Sequence, residues 1–233
     1  MKLIIENWRG YISEGEQSFQ IYCDMDGVLV DFIKAAVNTI NEDIVDVSIP
    51  SFKETGGITD LGRLRRALEG ENRDLITAAD IEIKGKEKIQ KAANNYMYNR
   101  LKNDFEWWST LDWMPDGQRL WDHVKQYNPY ILTSPMDGEG SVEGKKAWVK
   151  EHLKLPNGEP PEKVILNSKK YLYATVGSTK NVLIDDMTKN ITLWEKAEGI
   201  PIQHTSADDT IRQLDEIFRP LREDLYVLSR RIL

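Results

Sequence analysis

The residues that could do chemistry fall in four short stretches, and carboxylates dominate them. The first is IYCDMDGVLVDF, where an apolar run delivers Asp24 and Asp26 to its carboxyl end and Gly27 permits a tight turn. Two carboxylates this close repel each other unless a cation sits between them or one keeps its proton. Magnesium would supply such a cation, since it takes a few carboxylate and carbonyl oxygens and leaves its other positions to water and substrate phosphate. One carboxylate can then be ionised as a nucleophile while the other shuttles a proton.

Asp-x-Asp-Gly alone also describes an ordinary turn, because Asp and Gly recur in turns for local hydrogen-bonding reasons. Three further stretches narrow the reading. ILTSP brings Thr133 and Ser134, hydroxyl and amide donors suited to phosphate oxygens. NSKK brings Lys169 and Lys170, either of which offers a point charge to the same phosphate. VLIDD ends in Asp185 and Asp186, which would complete a carboxylate set around a metal.

The elements that must position these groups follow from hydrophobic patterning. Strand-sized apolar runs occur at Phe19 to Cys23, Tyr130 to Leu132, Val164 to Leu166, Val182 to Ile184 and Ile200 to Ile202. Between the last four lie helix-compatible segments: Ser141 to Leu153, a short stretch from Tyr171 to Val176, and Met187 to Glu198. Strands alternating with helices predict parallel βαβ units and a sheet buried on both faces, with ligands at the carboxyl ends of the strands. All four chemical stretches fall at such ends.

Roughly a hundred residues separate Asp31 from Ile131, far more than a crossover needs. Helical patterns fill much of that gap: Phe32 to Asn41, Asp60 to Leu68 and Ala78 to Leu101, with SIPSF and ETGGIT breaking the first two apart. Residues 33–112 therefore read as a helical cap, and residues 1–32 and 113–233 as the α/β core. The final segment reads as a helix from Asp208, an interruption at Pro220, and a second amphipathic stretch ending in Arg230 and Arg231.

The ordered set Asp-x-Asp-Gly, Ser/Thr, Lys, Asp-Asp resembles the haloacid-dehalogenase-like (HAD) phosphatase superfamily. DMDGVLVDF, DFEWWSTLDWMPDG, ILTSP, KKAWVKEHL and NVLIDD are similar, in order, to landmarks of its 5'(3')-deoxyribonucleotidase family, over roughly residues 20 to 190. The resemblance implies a Rossmann-like core with a helical cap inserted after the first strand. It implies magnesium-dependent hydrolysis of a phosphate monoester, a 5'-(deoxy)ribonucleotide, through an aspartyl-phosphate. Asp24 would be the nucleophile and Asp26 the acid/base. Asp24, the Asp26 carbonyl and Asp186 would hold magnesium, with Asp185 in or beside that shell. Thr133, Ser134 and Lys170 would bind the phosphate, alignment on the preceding VIL favouring Lys170 over Lys169. Lys145 matches a position that contacts substrate, and Phe32 one near the nucleobase. The same core serves other leaving groups, so nucleic-acid ends, sugar phosphates, and nucleotide binding without turnover stand as alternatives.

Composition sets the outer limits. The 233 residues include 31 basic and 38 acidic side chains, a net charge of -7, which argues against a nucleic-acid partner. Any phosphorylated small molecule must then be held by local positive charge. The single cysteine, Cys23, excludes an internal disulfide framework, and His123, His152 and His204 lack metal-ligand spacing. No run approaches the roughly 18 apolar residues of a membrane span, and MKLIIENWRGYISEGE turns polar too early for a signal peptide, so a cytoplasmic protein is expected. A homodimer is compatible with the sequence. The seven tryptophans, four of them at 107, 108, 113 and 121, read as packing anchors.

Overall fold

The computed structural model describes residues 19–46, 48–49, 59–82 and 87–229. The chain forms two compact units. The first comprises Met1–Leu29, Asp116–Ser134 and Leu153–Leu233; the second comprises Val30–Pro115 and Pro135–His152. The helix after ILTSP thus groups with the inserted helices, whereas the sequence pattern had set the cap at residues 33–112 alone.

The first unit is built on a five-stranded sheet, every neighbouring pair of which runs parallel. Its strands are β1 (Ile21–Cys23), β2 (Tyr130–Thr133), β3 (Val164–Leu166), β6 (Val182–Asp185) and β7 (Ile200–Gln203), in the order β3-β2-β1-β6-β7. All five were legible as apolar runs because a parallel sheet hides both faces from water. The central strands β1 and β6 are buried throughout. Pro201, which can donate no ladder hydrogen bond, lies on β7 at the edge, where that loss is tolerated.

The chain leaves β1 toward β2 and β3 on one side and returns through β6 and β7 on the other. That reversal opens a crevice at the carboxyl ends of β1 and β6, the usual ligand position in such sheets. Register delivers the chemistry there: Cys23 lies opposite Ile184, and the Asp24 amide donates to the Ile184 carbonyl at 2.9 Å. Asp24 and Asp185 consequently emerge side by side.

Between β3 and β6 the expected short helix over Tyr171 to Val176 is replaced by two features. A 3-10 turn covers Lys170–Tyr173, and a small antiparallel hairpin pairs β4 (Thr175–Val176) with β5 (Thr179–Lys180). Gly177, at φ +61°, makes the tight reversal possible. The closing helix runs from Ala207 to Ser229 straight through Pro220, where an interruption was expected. Its buried Ala207, Thr210, Leu214 and Phe218 form a stripe at helical spacing, and packing of that stripe overrides the local breaker.

The second unit contains α1 (Phe32–Val45), α2 (Asp60–Gly70), α3 (Ala79–Glu82), α4 (Lys88–Leu101), α5 (Phe105–Ser109) and α7 (Glu139–His152). Asp31 caps α1 by accepting from the Lys34 amide at 3.3 Å, and Thr59 caps α2 by accepting from Gly62 at 3.0 Å. The single helix expected from Ala78 to Leu101 is two, because Glu87 is extended (ψ 150°) and α4 starts anew behind it. Ala36, Ile40, Leu64, Leu68, Ala93 and Leu101 form the apolar centre. SIPSF and ETGGIT, like Arg230 and Arg231, lie wholly or largely outside the described residues. Among the described residues, no helix is long and apolar enough to cross a membrane.

The tryptophans separate by unit. Trp108 is buried, its indole N–H donating to Leu101 O at 2.8 Å, and Trp107 donates to Thr39 Oγ1 at 2.9 Å. Trp113 packs on Trp148 with centroids 4.9 Å apart. Trp121 belongs to the first unit, on α6 (Gly117–Val124), and donates to Lys154 O at 3.3 Å. Each has an aromatic face in the core and a satisfied N–H where one is described, as a packing anchor requires.

Candidate active site

At the end of β1, Asp24 is 5% exposed and fixed from two sides. Its Oδ1 accepts from the Met25 amide at 2.7 Å, and its Oδ2 lies 2.6 Å from Lys170 Nζ. The chain then turns sharply, with the Leu29 amide donating to Met25 O at 2.8 Å, which leaves Asp26 half-buried beyond the strand end. Gly27 adopts φ +73°, and a Cβ there would collide with the Asp186 carboxylate, whose Cγ would lie 2.7 Å away. The glycine of Asp-x-Asp-Gly therefore does two things: it takes the left-handed turn and makes room for a carboxylate from another strand.

The structure places Lys170 inside this site and Lys169 on the surface. Lys170 is 2% exposed, and its Nζ bridges Asp24 Oδ2 and Asp185 Oδ2 at 2.6 Å each. Burial works against the ammonium, but the two carboxylates outweigh it and hold Lys170 above its usual pKa. The 3-10 turn that begins at Lys170 aims it. Asn167 accepts from the Lys169 amide at 2.8 Å, and the Asn167 amide donates to Thr133 O at 2.9 Å, so the end of β2 sets the loop that carries the lysine.

Asp185 is fully buried. Its Oδ1 accepts from the Met187 amide at 2.8 Å and from Asn190 Nδ2 at 3.1 Å; its Oδ2 accepts from Asn190 Nδ2 at 3.0 Å as well as from Lys170. Asp186 differs. Its Oδ1 is buried and accepts no hydrogen bond from the protein, while its backbone carbonyl accepts from the Gln203 amide side chain. Burial, Asp24 and Asp185 together push the Asp186 carboxyl up to about 7, and burial and Asp24 push Asp185 up to about 6 against the pull of Lys170.

Asp24, Asp185 and Asp186 each offer an oxygen within 4.8 Å of the others. Three carboxylates face one ammonium, so the fully ionised cluster is short of positive charge by two. A divalent cation would make up that shortfall and give the orphaned Asp186 oxygen a partner, and an all-oxygen donor set suits magnesium. The donors fit the ion.

Thr133 is the buried last residue of β2, and Ser134 follows it, half-buried. Asp24, Asp26, Thr133, Ser134, Lys170, Asp185 and Asp186 all belong to the first unit, on the carboxyl ends of β1, β2 and β6 and the turn after β3. Phe32 and Lys145 belong to the second. The Phe32 ring stacks on Trp108 (centroids 5.4 Å, 14° between planes) and meets Trp107 edge-on at 5.8 Å. Lys145, on α7, is fully buried with its Nζ 4.8 Å from the Trp108 ring centroid. Cys23 is buried beside Asp24, and burial pushes its thiol pKa up, which makes it a packing residue.

Asn190 and Gln203 were not apparent from the sequence. Asn190 is the third residue of α8 (Thr188–Lys196), and its position just after Asp185 and Asp186 in DDMTKN was the available signal. Gln203 could be found only from the pairing of β7 with β6.

No protein-family model matches the chain, and no curated protein matches it. Among solved structures, it is similar to a hydrolase from Pseudomonas syringae at 14% identity and TM-score 0.43, over 86% of this chain and 99% of that one. A haloacid dehalogenase-like family hydrolase from Streptococcus pneumoniae is 15% identical at TM-score 0.41, over 83% and 90% of the two chains. β-Phosphoglucomutase from Clostridium difficile is 17% identical at TM-score 0.37, over 90% and 98%. The chain has a parallel α/β fold, and the solved structures similar to it include haloacid dehalogenase-like hydrolases.

Proposed function

We propose that this protein hydrolyses phosphate monoesters through an aspartyl-phosphate on Asp24, as a HAD-type phosphatase, and that its substrates are 5'-(deoxy)ribonucleotides. The observation that carries the phosphatase reading is the buried Lys170 ammonium, 2.6 Å from both Asp24 and Asp185, beside an Asp186 oxygen that no protein donor satisfies. Such a cluster is costly to bury unless its charges are used.

In the first step Asp24 attacks phosphorus with a carboxylate oxygen, the bond to the leaving-group oxygen breaks, and Asp26 gives that oxygen its proton. In the second, Asp26 takes a proton from water, the resulting hydroxide attacks phosphorus, and the Asp24–phosphorus bond breaks to release inorganic phosphate. Lys170 follows the charge on the phosphoryl oxygens through both steps, and Thr133 and Ser134 bind the remaining oxygens. Asp24, Asp186 and the Asp26 carbonyl would hold magnesium, with Asp185 beside them; bound there, the ion would neutralise phosphoryl charge and align the in-line transfer.

The nucleotide part of the reading is supported by the motif order DMDGVLVDF, ILTSP, KKAWVKEHL and NVLIDD, with Lys145 and Phe32 proposed as substrate-binding residues. The test is phosphate release with magnesium from a panel of nucleotides, sugar phosphates and 3'-phosphorylated oligonucleotides. Asp24→Asn and chelation should each abolish turnover of an aryl phosphate. Full activity after either change overturns the phosphatase reading; preference for a sugar phosphate or an oligonucleotide end overturns the nucleotide one.

A further inference from the structure

Asn190 is a neutral side chain that clasps the charged cluster through Asp185. It sits half-buried in the first turn of α8, its own amide donating to Met187 O at 2.8 Å, so its backbone is fixed by the helix start. From there its Nδ2 reaches both oxygens of Asp185, at 3.1 and 3.0 Å. With the Met187 amide and Lys170, these bonds take up both Asp185 oxygens and leave the carboxylate no freedom to rotate. Asp185 in turn is half of the grip on Lys170, whose other partner is Asp24.

We infer that Asn190 is a positioning residue: by locking Asp185 it holds Lys170 at the reacting oxygen of Asp24, and it leaves Asp186 as the carboxylate of the pair that turns outward to a cation. The physical need is specific. Once a phosphoryl group arrives, Lys170 must follow it, and the Asp24 carboxylate ceases to be an anionic partner when it becomes an acyl phosphate. Asp185 is then the remaining anchor for the ammonium, so its own fixation decides where the positive charge stands in the second half of the reaction. An Asp185 free to turn would draw the lysine off the phosphoryl oxygens or compete with Asp186 for the cation.

This inference rests on the phosphatase reading for its kinetic consequence, and a double-mutant cycle separates the two. Variants Asn190→Ala, Lys170→Met and the pair are compared with the wild-type chain by aryl phosphate turnover with magnesium and by thermal unfolding without it. Loss of one hydrogen-bond donor to a charged group predicts a kcat for Asn190→Ala lower by roughly tenfold to a hundredfold. KM should change less than about threefold, since Thr133 and Ser134 still bind the phosphate. In the Lys170→Met background the same change should cost less than about twofold, because the group it positions is gone.

An equal loss in both backgrounds, or none in the wild-type background, overturns the inference. If Lys170→Met does not fold, Asp185→Asn takes its place with the same expectation. If the wild-type chain releases no phosphate, the phosphatase reading fails, and the melting cycle still decides whether Asn190 is coupled to Lys170: additive shifts overturn that too.

Discussion

Gly27 and Asp186 stand in mutual contact, the hydrogen of one filling the space that a methyl group would take from the carboxylate of the other. The turn after β1 and the end of β6 therefore fit only with a glycine at position 27. Gly27→Ala would pay the left-handed backbone cost of about 1–2 kcal/mol and would also push Asp186 aside. We expect a lower melting temperature and, in the folded protein, at least tenfold weaker magnesium binding by calorimetry. Unchanged magnesium affinity would show that Asp186 is not a ligand.

Adjacent lysines differ in burial, with Lys170 at 2% exposure and Lys169 at the surface. Lys170→Met should lower aryl phosphate turnover by at least a hundredfold, and Lys169→Ala should leave it within about twofold. Steady-state kinetics on the two variants checks this; equal effects would mean that the exposed lysine also reaches substrate.

If magnesium binds as proposed, the shortfall of positive charge among Asp24, Asp185 and Asp186 predicts that it stabilises the folded state. At a hundred times its dissociation constant the ion should add about 2.7 kcal/mol to the wild-type protein. Asp186→Asn should lose that gain while melting no lower than the wild type in the metal-free state, since it relieves repulsion. Differential scanning calorimetry with and without magnesium measures both; a metal-free Asp186→Asn protein that melts clearly lower contradicts the charge argument.

In the second unit, Asp80 is nearly buried and accepts from Arg73 at 3.0 and 2.5 Å and from the Thr77 amide at 2.7 Å. The Arg73 hydrogen bonds hold its carboxyl below the usual value, against burial. A depressed folded-state pKa means that this stabilisation is complete above the unfolded-state value near 3.9 and is lost as pH falls through the folded one. Asp80→Asn should cost about 2 kcal/mol at neutral pH and flatten the acid limb of the stability profile. Urea unfolding between pH 7 and 3 tests this, and a parallel profile for the variant would rule it out.

Much of the site was legible in the chain. The five strands announced themselves as apolar runs because a parallel sheet is buried on both faces, and strands of known direction place their carboxyl ends together. That is enough to assemble Asp24, Asp26, Thr133, Ser134, Lys170, Asp185 and Asp186 on one unit. The breaks were legible less well. Pro220 reads as a stop but is carried by a helix whose buried stripe reaches Phe218 just before it, and Tyr171 to Val176 reads as helix but folds as a 3-10 turn and a hairpin.

What the sequence by itself determined is the inventory and its order: which carboxylates, which hydroxyls, which pair of lysines, and the strand ends that hold them. The resemblance favoured Lys170 over Lys169 and set Asp186 apart from Asp185, but only the tertiary structure decided what physically distinguishes the members of each pair. Burial separated Lys170 from Lys169, and hydrogen bonding separated Asp185, saturated by Lys170, Met187 and Asn190, from Asp186, which keeps a buried oxygen unpartnered. Adjacent residues of like type are equivalent in a sequence. They become different because a strand end and a helix start point neighbouring side chains in different directions, so that the start of α8 and the turn after β3 supply donors to Asp185 and none to the buried Asp186 oxygen.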